Sequence, residues 1–237
     1  MLLRICGVSL SSHAEYDIDD KSLYPPEAQQ SWHEYQRREI PFRIAALNRI
    51  GNWHLGTAGK WIDVGAGTGI FARMLRDKGA TCDCVEVSVP ETQRLVAAGF
   101  SVFQSMDGIP DGTYNRIHCN AVIEHVPDAN AFARDLHRIC STRGRVFVGT
   151  ISESTILVLA ALVRILTLGM WDASRYVSRW HVHYMGLRAW CRMLRRAGFS
   201  IERAWTTSFQ QPPRHSWRSL LHRMLGIYHI NIIAVKQ

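Results

Sequence analysis

The chain lacks any uninterrupted run of about 20 apolar residues, the length a bilayer-spanning helix needs, which excludes a polytopic membrane protein. Its six cysteines, Cys6, Cys82, Cys84, Cys119, Cys140 and Cys191, include one close pair, Cys82-x-Cys84, with no matching Cys/His set elsewhere. That is neither a zinc nor a redox spacing, and buried free thiols are expected. Acidic residues are scarce in the second half: residues 121–237 hold 6 Asp+Glu against 16 Lys+Arg, all but Lys236 arginine, whereas residues 1–120 hold 14 against 12. The net charge of +8 therefore belongs to one half, a skew that suits a nucleic acid, an anionic lipid or an acidic substrate without selecting among them. Repeats, low-complexity tracts and linkers are also missing, so a single domain over 1–237 is expected. The apolar stretch Met1–Leu10 is too short for a secretory signal and contains Arg4, so the expected setting is cytoplasmic. What is present, 237 residues at 47% hydrophobic and 20% charged, suffices to bury a core without disulfide or metal staples.

From about residue 60 the hydrophobic period alternates between 2 and 3.6. Trp61–Val64 reads as a strand, Phe71, Met74 and Leu75 as a helix stopped at Gly79, and Cys82, Val85 and Val87 as a second strand. A helix over Pro90–Ala98 follows, then a strand at Ser101–Gln104, a turn at Pro110-Asp111-Gly112 and a strand at Tyr114–Cys119. Next come a helix over Ala129–Cys140, a turn at Thr142-Arg143-Gly144 and a strand at Arg145–Thr150. Leu187, Trp190, Leu194 and Ala197 form the apolar stripe of a helix whose other face is Arg188, Arg192, Arg195 and Arg196; strands at Ile201–Thr206 and Ile227–Val235 close the chain. Strands separated by helices mean βαβ units in an α/β, Rossmann-like fold with helices on both faces of the sheet. Outside the regularity stand an N-terminal helical cap (1–58) and an apolar insertion (151–186). The insertion's most apolar part, 154–170, is broken by Arg164 and suits a core or substrate-lid helix, or a helix lying on a membrane surface.

The sharpest motif is Asp63-Val64-Gly65-Ala66-Gly67-Thr68-Gly69, at the end of the first strand and the start of a helix. Glycines there let the backbone turn tightly and approach a ligand without Cβ interference. A dinucleotide fingerprint places its third glycine where Ile70 stands, and Asp63 beside the loop would repel a pyrophosphate. A carboxylate suits instead a ligand with an ammonium and a sulfonium and no phosphate, which is S-adenosylmethionine. Glu86, at the end of the second strand, could accept both hydroxyls of its ribose.

With these motifs the chain resembles the class I S-adenosylmethionine-dependent methyltransferases, and within them the ubiquinone-biosynthesis O-methyltransferases and related small-molecule enzymes. Asp63 to Gly69 is similar to their first motif, Tyr114 to Asp128 to their fourth-strand segment, and Pro41-Phe42-Arg43-Ile44 to a segment preceding the first strand. The resemblance implies a seven-stranded, mostly parallel sheet whose last strand is antiparallel. It implies that Arg43 pairs with the methionine carboxylate, that Gly65, Gly67, Gly69 and Glu86 hold the body of the cofactor, and that Asn120 touches it from the fourth strand. Gln104-Ser105-Met106-Asp107 replaces the loop that reads adenine, so Ser105, with Met106 beside it, or else Asp107 would take that role. Ala121 stands where the quinone enzymes carry a carboxylate three residues before Glu124, and no metal is expected.

Methyl transfer from a sulfonium is an in-line displacement that asks the protein for positioning and, with a weakly acidic hydroxyl, for a base. His125, beyond the fourth strand, and His181, in Arg179-Trp180-His181-Val182-His183-Tyr184, are the candidate catalytic residues, since an imidazole titrates near neutrality. The apolar insertion with Trp171, Trp180 and Tyr184 suits a flat or lipid-like acceptor such as a phenol or quinol. The expected reaction is O-methylation of a small molecule, yielding S-adenosylhomocysteine. An RNA methyltransferase using the basic half, and a non-catalytic S-adenosylmethionine-binding partner protein, are the alternatives, though no RNA-binding module or aromatic-basic stacking motif is visible.

Overall fold

A computed structural model of the chain describes residues 26–152, 162, 165–166, 181–207 and 228–237; in its first helix, side chains are described at 34, 37, 40, 41 and 43–51. That helix, α1 (Pro26–Gly51), runs unbroken through Pro41. There follow β1 (Trp61–Val64), α2 (Ile70–Arg76), β2 (Cys82–Val85), α3 (Val89–Ala97), β3 (Val102–Phe103), β4 (Tyr114–Asn120), α4 (Ala129–Ile139), β5 (Cys140–Ser152), α5 (Leu187–Arg196), β6 (Phe199–Thr207) and β7 (Tyr228–Lys236).

The strands form one seven-stranded sheet in the order β3-β2-β1-β4-β5-β7-β6. The neighbours from β3 to β5 pair in parallel, whereas β7 runs antiparallel to both β5 and β6, so the last strand alone is reversed. Alternation along each strand divides the core. Ile62, Val64, Ile117 and Cys119 face a layer built with Leu136 of α4 and Trp190 and Leu194 of α5. Trp61, Cys82, Cys84 and Phe147 face the opposite layer with Ile44 and Leu47 of α1 and Phe71 and Leu75 of α2. Helices on both faces explain why β1 and β5 read as near-continuous apolar runs. Trp190 and Leu194 are fully buried while Arg188, Arg192, Arg195 and Arg196 point to solvent, as the helical stripe required.

Most boundaries differ from expectation by one or two residues, and that of β5 by more. The strand expected at Arg145–Thr150 extends from Cys140 to Ser152, because the turn at Thr142–Gly144 is a bulge inside it: the pairing steps from Tyr114↔Cys140 to Arg116↔Arg145, and Arg143 takes a left-handed conformation. Helix α4 begins one residue after Asp128, whose carboxylate accepts from the N–H groups of Asn130 and Ala131 at 2.9 and 3.0 Å. Those bonds hold the Asp128 carboxyl below its ordinary range. The described thiols, Cys82, Cys84, Cys119, Cys140 and Cys191, are buried and free. Of the insertion expected at 151–186, Ile151 and Ser152 belong to β5, and beyond them only Leu162, Ile165, Leu166 and residues 181–186 are described; Trp171 and Trp180 lie outside the described residues. Leu162, Ile165 and Leu166 are helical and 48%, 57% and 81% exposed. No helix among the described residues is long and apolar enough to cross a membrane.

Candidate active site

The carboxyl ends of β1, β2 and β4 meet at the glycine loop. Gly65, Gly67 and Gly69 all have positive φ, and the loop is drawn against β2 by bonds from the Gly65 and Ala66 N–H groups to the Val85 carbonyl at 2.8 and 3.1 Å. Gly65 has no room for a side chain, since a Cβ there would lie 2.1 Å from Val122 Cγ2. Gly69 caps α2 in a left-handed conformation, with Leu95 2.5 Å from where its Cβ would be.

Glu86 is 8% exposed and clamps this end. One carboxylate oxygen accepts the Gly67 N–H at 2.7 Å and the other the Ser88 N–H at 2.9 Å, while its carbonyl accepts from Thr92 Oγ1 at 3.0 Å. Each carboxylate oxygen keeps a further lone pair. The geometry locks the glycine loop to the start of α3 and presents a fixed acceptor pair.

Asp63 does not face the open side of the loop. It is 3% exposed and turned into the layer beneath α2, where its Oδ1 meets His118 Nδ1 at 2.7 Å. Parallel pairing puts Asp63 directly beside His118, and the imidazole is stacked between Phe71 at 3.7 Å and Phe147 at 5.3 Å. Its place is therefore behind the loop, contrary to the direct electrostatic contact with a cationic ligand expected from its sequence position. The signal that could have revealed the pair is a histidine in an otherwise apolar strand, because a buried polar group demands a partner.

Arg43 projects from α1 toward the end of β4. Its Nη1 donates to Asn120 Oδ1 at 3.3 Å, and its Nη2 abuts His229 of β7. Gly149 makes room for Asn120, since a Cβ at 149 would sit 2.3 Å from the amide oxygen. Burial, and secondarily Arg43, hold His229 well below its ordinary pKa. His229 went unread in the sequence, where it sits as a single polar residue in the closing strand. In the adenine loop, Ser105 Oγ donates to Asp107 Oδ2 at 3.0 Å and accepts the Asp107 N–H at 3.1 Å, both side chains being exposed. Met106, between them, has its side chain buried in the core, and its carbonyl accepts from Arg138 Nη2 at 2.7 Å.

The acceptor side is assembled from two distant segments. The Val182 and His183 N–H groups donate to the Glu124 carbonyl at 2.8 and 3.3 Å, and His183 Nε2 meets the Val126 carbonyl at 2.8 Å. These bonds seat His181 against His125, ring centroids 4.9 Å apart, with Tyr184 6.4 Å beyond. Both candidate histidines are half-buried and adjacent, a proximity that spacing alone did not show. Behind them Glu124 is fully buried; its carboxyl lies near the Thr150 hydroxyl and its own backbone N–H, but neither oxygen meets a donor in good hydrogen-bond geometry among the described residues. Burial pushes its carboxyl up to about 7, against the opposing influence of its own backbone N–H, the Thr150 hydroxyl, His181 and Arg43. One oxygen of Glu124 and one nitrogen each of His125 and His181 lie within 4.8 Å of one another, a set of residue types that can ligate a metal ion. The expectation of no metal rested on Ala121; His181 brings a third donor that the reading at position 121 did not consider.

A doubly wound sheet with one reversed strand, a glycine loop after β1 and an acid after β2 define a class I S-adenosylmethionine-dependent methyltransferase. The family described as "Methyltransferase domain" matches residues 32–204, and the chain belongs to it. Its cofactor is S-adenosylmethionine. The chain is similar to the ubiquinone biosynthesis O-methyltransferase of Pseudomonas paraeruginosa, 28% identical over 148 residues, covering 55% of this chain and 63% of the relative; the chain thus spans somewhat less than two thirds of that protein. The Azotobacter vinelandii enzyme of the same name is 25% identical over 182 residues, covering 68% and 76%. Among solved structures, an S-adenosylmethionine-dependent methyltransferase from Mesorhizobium loti superposes with a TM-score of 0.57 at 17% identity, over 77% of this chain and 92% of that one.

Proposed function

We propose that the protein transfers the methyl group of S-adenosylmethionine to a hydroxyl of a small phenolic, quinol or lipid-like acceptor. The observation that carries this reading is the pairing of His125 with His181 across the end of β4, next to a loop already shaped for the cofactor. The curated relatives named for ubiquinone O-methylation support the same acceptor class. Glu86 takes the ribose hydroxyls on the free lone pairs of its carboxylate, and Gly65, Gly67 and Gly69 let the methionine chain pass close to the backbone. Arg43 and Asn120 receive the methionine carboxylate and ammonium, the guanidinium matching a carboxylate as a planar fork. Ser105 and Asp107 meet the adenine edge, Met106 anchors their loop, and Asp63 holds β1 to β4 from behind.

In the reaction the acceptor oxygen attacks the methyl carbon in line with sulfur. The C–O bond forms as the C–S bond breaks, the sulfonium becomes the thioether of S-adenosylhomocysteine, and the hydroxyl proton passes to the imidazole of His125 or His181. The exposed apolar residues Leu162, Ile165 and Leu166, spaced to share one helical face, support a peripheral contact with a lipid surface where such an acceptor would dissolve. Transfer of labelled methyl from S-adenosylmethionine into fractionated cell extract tests the function. Label in organic-soluble small molecules is expected; label in RNA, or none in any fraction, overturns the acceptor class. Flotation with anionic liposomes tests the lipid contact, and a protein left in the pellet fraction removes it.

A further inference from the structure

We infer that His229 is a positioning residue for the cofactor: together with Asn120 it fixes the Arg43 guanidinium so that the N–H groups that remain meet the methionine carboxylate. The inference rests on the reading that Arg43 receives that carboxylate, and adds what orients the fork before the ligand arrives.

The two partners reach Arg43 from strands that are not neighbours. Asn120 ends β4 and His229 stands at the start of β7, with β5 between them. Opposite both Asn120 and Asn231, β5 carries Gly149, which has no side chain to fill the gap; a Cβ there would overlap Asn120 Oδ1. Across that opening Arg43 Nη1 donates to Asn120 Oδ1 at 3.3 Å, and Nη2 abuts the imidazole of His229. One contact would leave the guanidinium free to turn, whereas two, on different nitrogens and from two strands, fix its plane.

Other features of the site leave this task to the two partners. No carboxylate among the described residues forms an ion pair with Arg43, and Glu124 feels its charge only at longer range. A small cavity borders the Arg43 side chain, lined also by Ile40, Ile44, Leu47, His118, Phe147 and Asn231, so packing alone does not hold it. Burial, and secondarily Arg43, keep the His229 ring neutral, and a neutral imidazole has a nitrogen lone pair with which to accept an Arg43 N–H. A carboxylate in its place would neutralise the guanidinium and compete with the ligand; an uncharged acceptor orients the fork and leaves its full charge to the cofactor. Two of the five guanidinium N–H groups are engaged in this way, and those left suffice for a bidentate pair.

The test is calorimetric titration of the full chain with S-adenosylmethionine and with its decarboxylated form, which lacks only the methionine carboxylate. His229→Leu removes the acceptor and should weaken S-adenosylmethionine binding roughly 5- to 10-fold, the scale of ordering one long side chain on binding, while the decarboxylated ligand stays within about twofold of the wild type. His229→Gln, whose amide oxygen can accept the same N–H, should restore S-adenosylmethionine affinity to within about twofold of the wild type. In an Arg43→Ala background, His229→Leu should have no further effect. An equal loss for both ligands, no loss for either, failure of the Gln variant to rescue, or an undiminished effect in the Arg43→Ala background would each overturn the inference. Arg43→Ala alone tests the reading beneath it. If that change leaves discrimination between the two ligands intact, the carboxylate is held elsewhere; if it abolishes discrimination and His229→Leu does not reduce it, only the role of His229 falls. Should the Leu variant fail to fold, wild-type protein carrying isotopically labelled arginine gives a second readout by NMR. Hindered rotation of the Arg43 guanidinium, assigned by its absence in Arg43→Ala, is expected before any ligand is added, and free rotation overturns the inference.

Discussion

Two buried glutamates stand just beyond β2 and β4, the strands on either side of β1, and are treated in opposite ways. Glu86, at the cofactor end, is 8% exposed with each carboxylate oxygen accepting a backbone N–H; Glu124, at the acceptor end, is fully buried with neither oxygen on a well-aligned donor among the described residues. The cofactor end is a finished network, in which Asp63 meets His118, Glu86 meets the glycine loop and the loop meets β2. Such a network preorganises hydrogen-bond acceptors for a ligand that is always the same. The acceptor end is more loosely paired, the Thr150 hydroxyl lying near the Glu124 carboxyl without a well-aligned hydrogen bond. A group loosely paired in the fold is available to an acceptor or an ion. Removing a member of the first set should therefore harm the fold, and removing a member of the second should not.

The largest effect is expected at His118. Its replacement by Ala strands the buried Asp63 carboxylate and opens a gap between Phe71 and Phe147, costing about 3–5 kcal/mol of stability. Chemical denaturation measures it, and a loss under 1 kcal/mol would mean that the pair is not what holds β1 to β4. Next comes Gly65→Ala, which puts a Cβ into Val122 at a φ of +74°. Strain and overlap in the loop cost about 2–4 kcal/mol, which, where it falls on the binding-competent loop, lowers S-adenosylmethionine affinity by roughly 30- to 1,000-fold by calorimetry. Glu86→Gln follows. The amide keeps one acceptor oxygen and turns the other toward a backbone N–H as a donor, so cofactor affinity should fall by roughly 10- to 100-fold. Unchanged affinity would show that the ribose is held elsewhere.

How much of this was readable in the sequence follows the same division. The alternation of periods announced the sheet and its layers, and the glycine loop and Glu86 were legible because each is local: a strand end, a turn and the next strand end lie close along the chain. Asp63 was legible as a residue but not in its orientation, since its partner is 55 positions away and becomes its neighbour only when β4 pairs with β1. The same holds for Arg43, whose contact with His229 spans 186 positions, and for His181, which reaches His125 because backbone bonds pin residues 182 and 183 to Glu124. The side chain of Met106 turns into the core, a direction that a residue in a loop motif does not reveal. Long-range juxtaposition of single polar residues leaves no periodic trace, whereas an apolar stripe repeats and can be counted.

A smaller effect is expected from His229, which bears on whether the boundary between the two ends runs through β7. Burial beside Arg43 depresses its pKa well below 6.5, so the folded protein keeps the ring neutral while the unfolded chain protonates it. The stabilisation is thus fully present above about pH 6.5 and is lost as pH falls toward the folded-state value. Urea midpoints measured between pH 7.5 and 5 should decline more steeply for the wild type than for His229→Gln; parallel curves would show that the ring is protonated in the fold.

The smallest effect is expected at Glu124, and there the comparison is most easily broken. Glu124→Gln replaces a fully buried carboxyl, which burial pushes up to about 7 and which has no well-aligned donor among the described residues, by a neutral amide of equal size, a change that is near neutral or stabilising. The thermal midpoint should stay within about 2 °C of the wild type or rise, a shift of about 1 kcal/mol corresponding to roughly 2–4 °C in a domain of this size. Glu86→Gln, with two backbone donors depending on the carboxylate, should lower the midpoint under the same conditions. If Glu124→Gln instead costs as much as Glu86→Gln, the acceptor end is as fully paired as the cofactor end, and Glu124 is a structural residue with nothing left to offer a ligand.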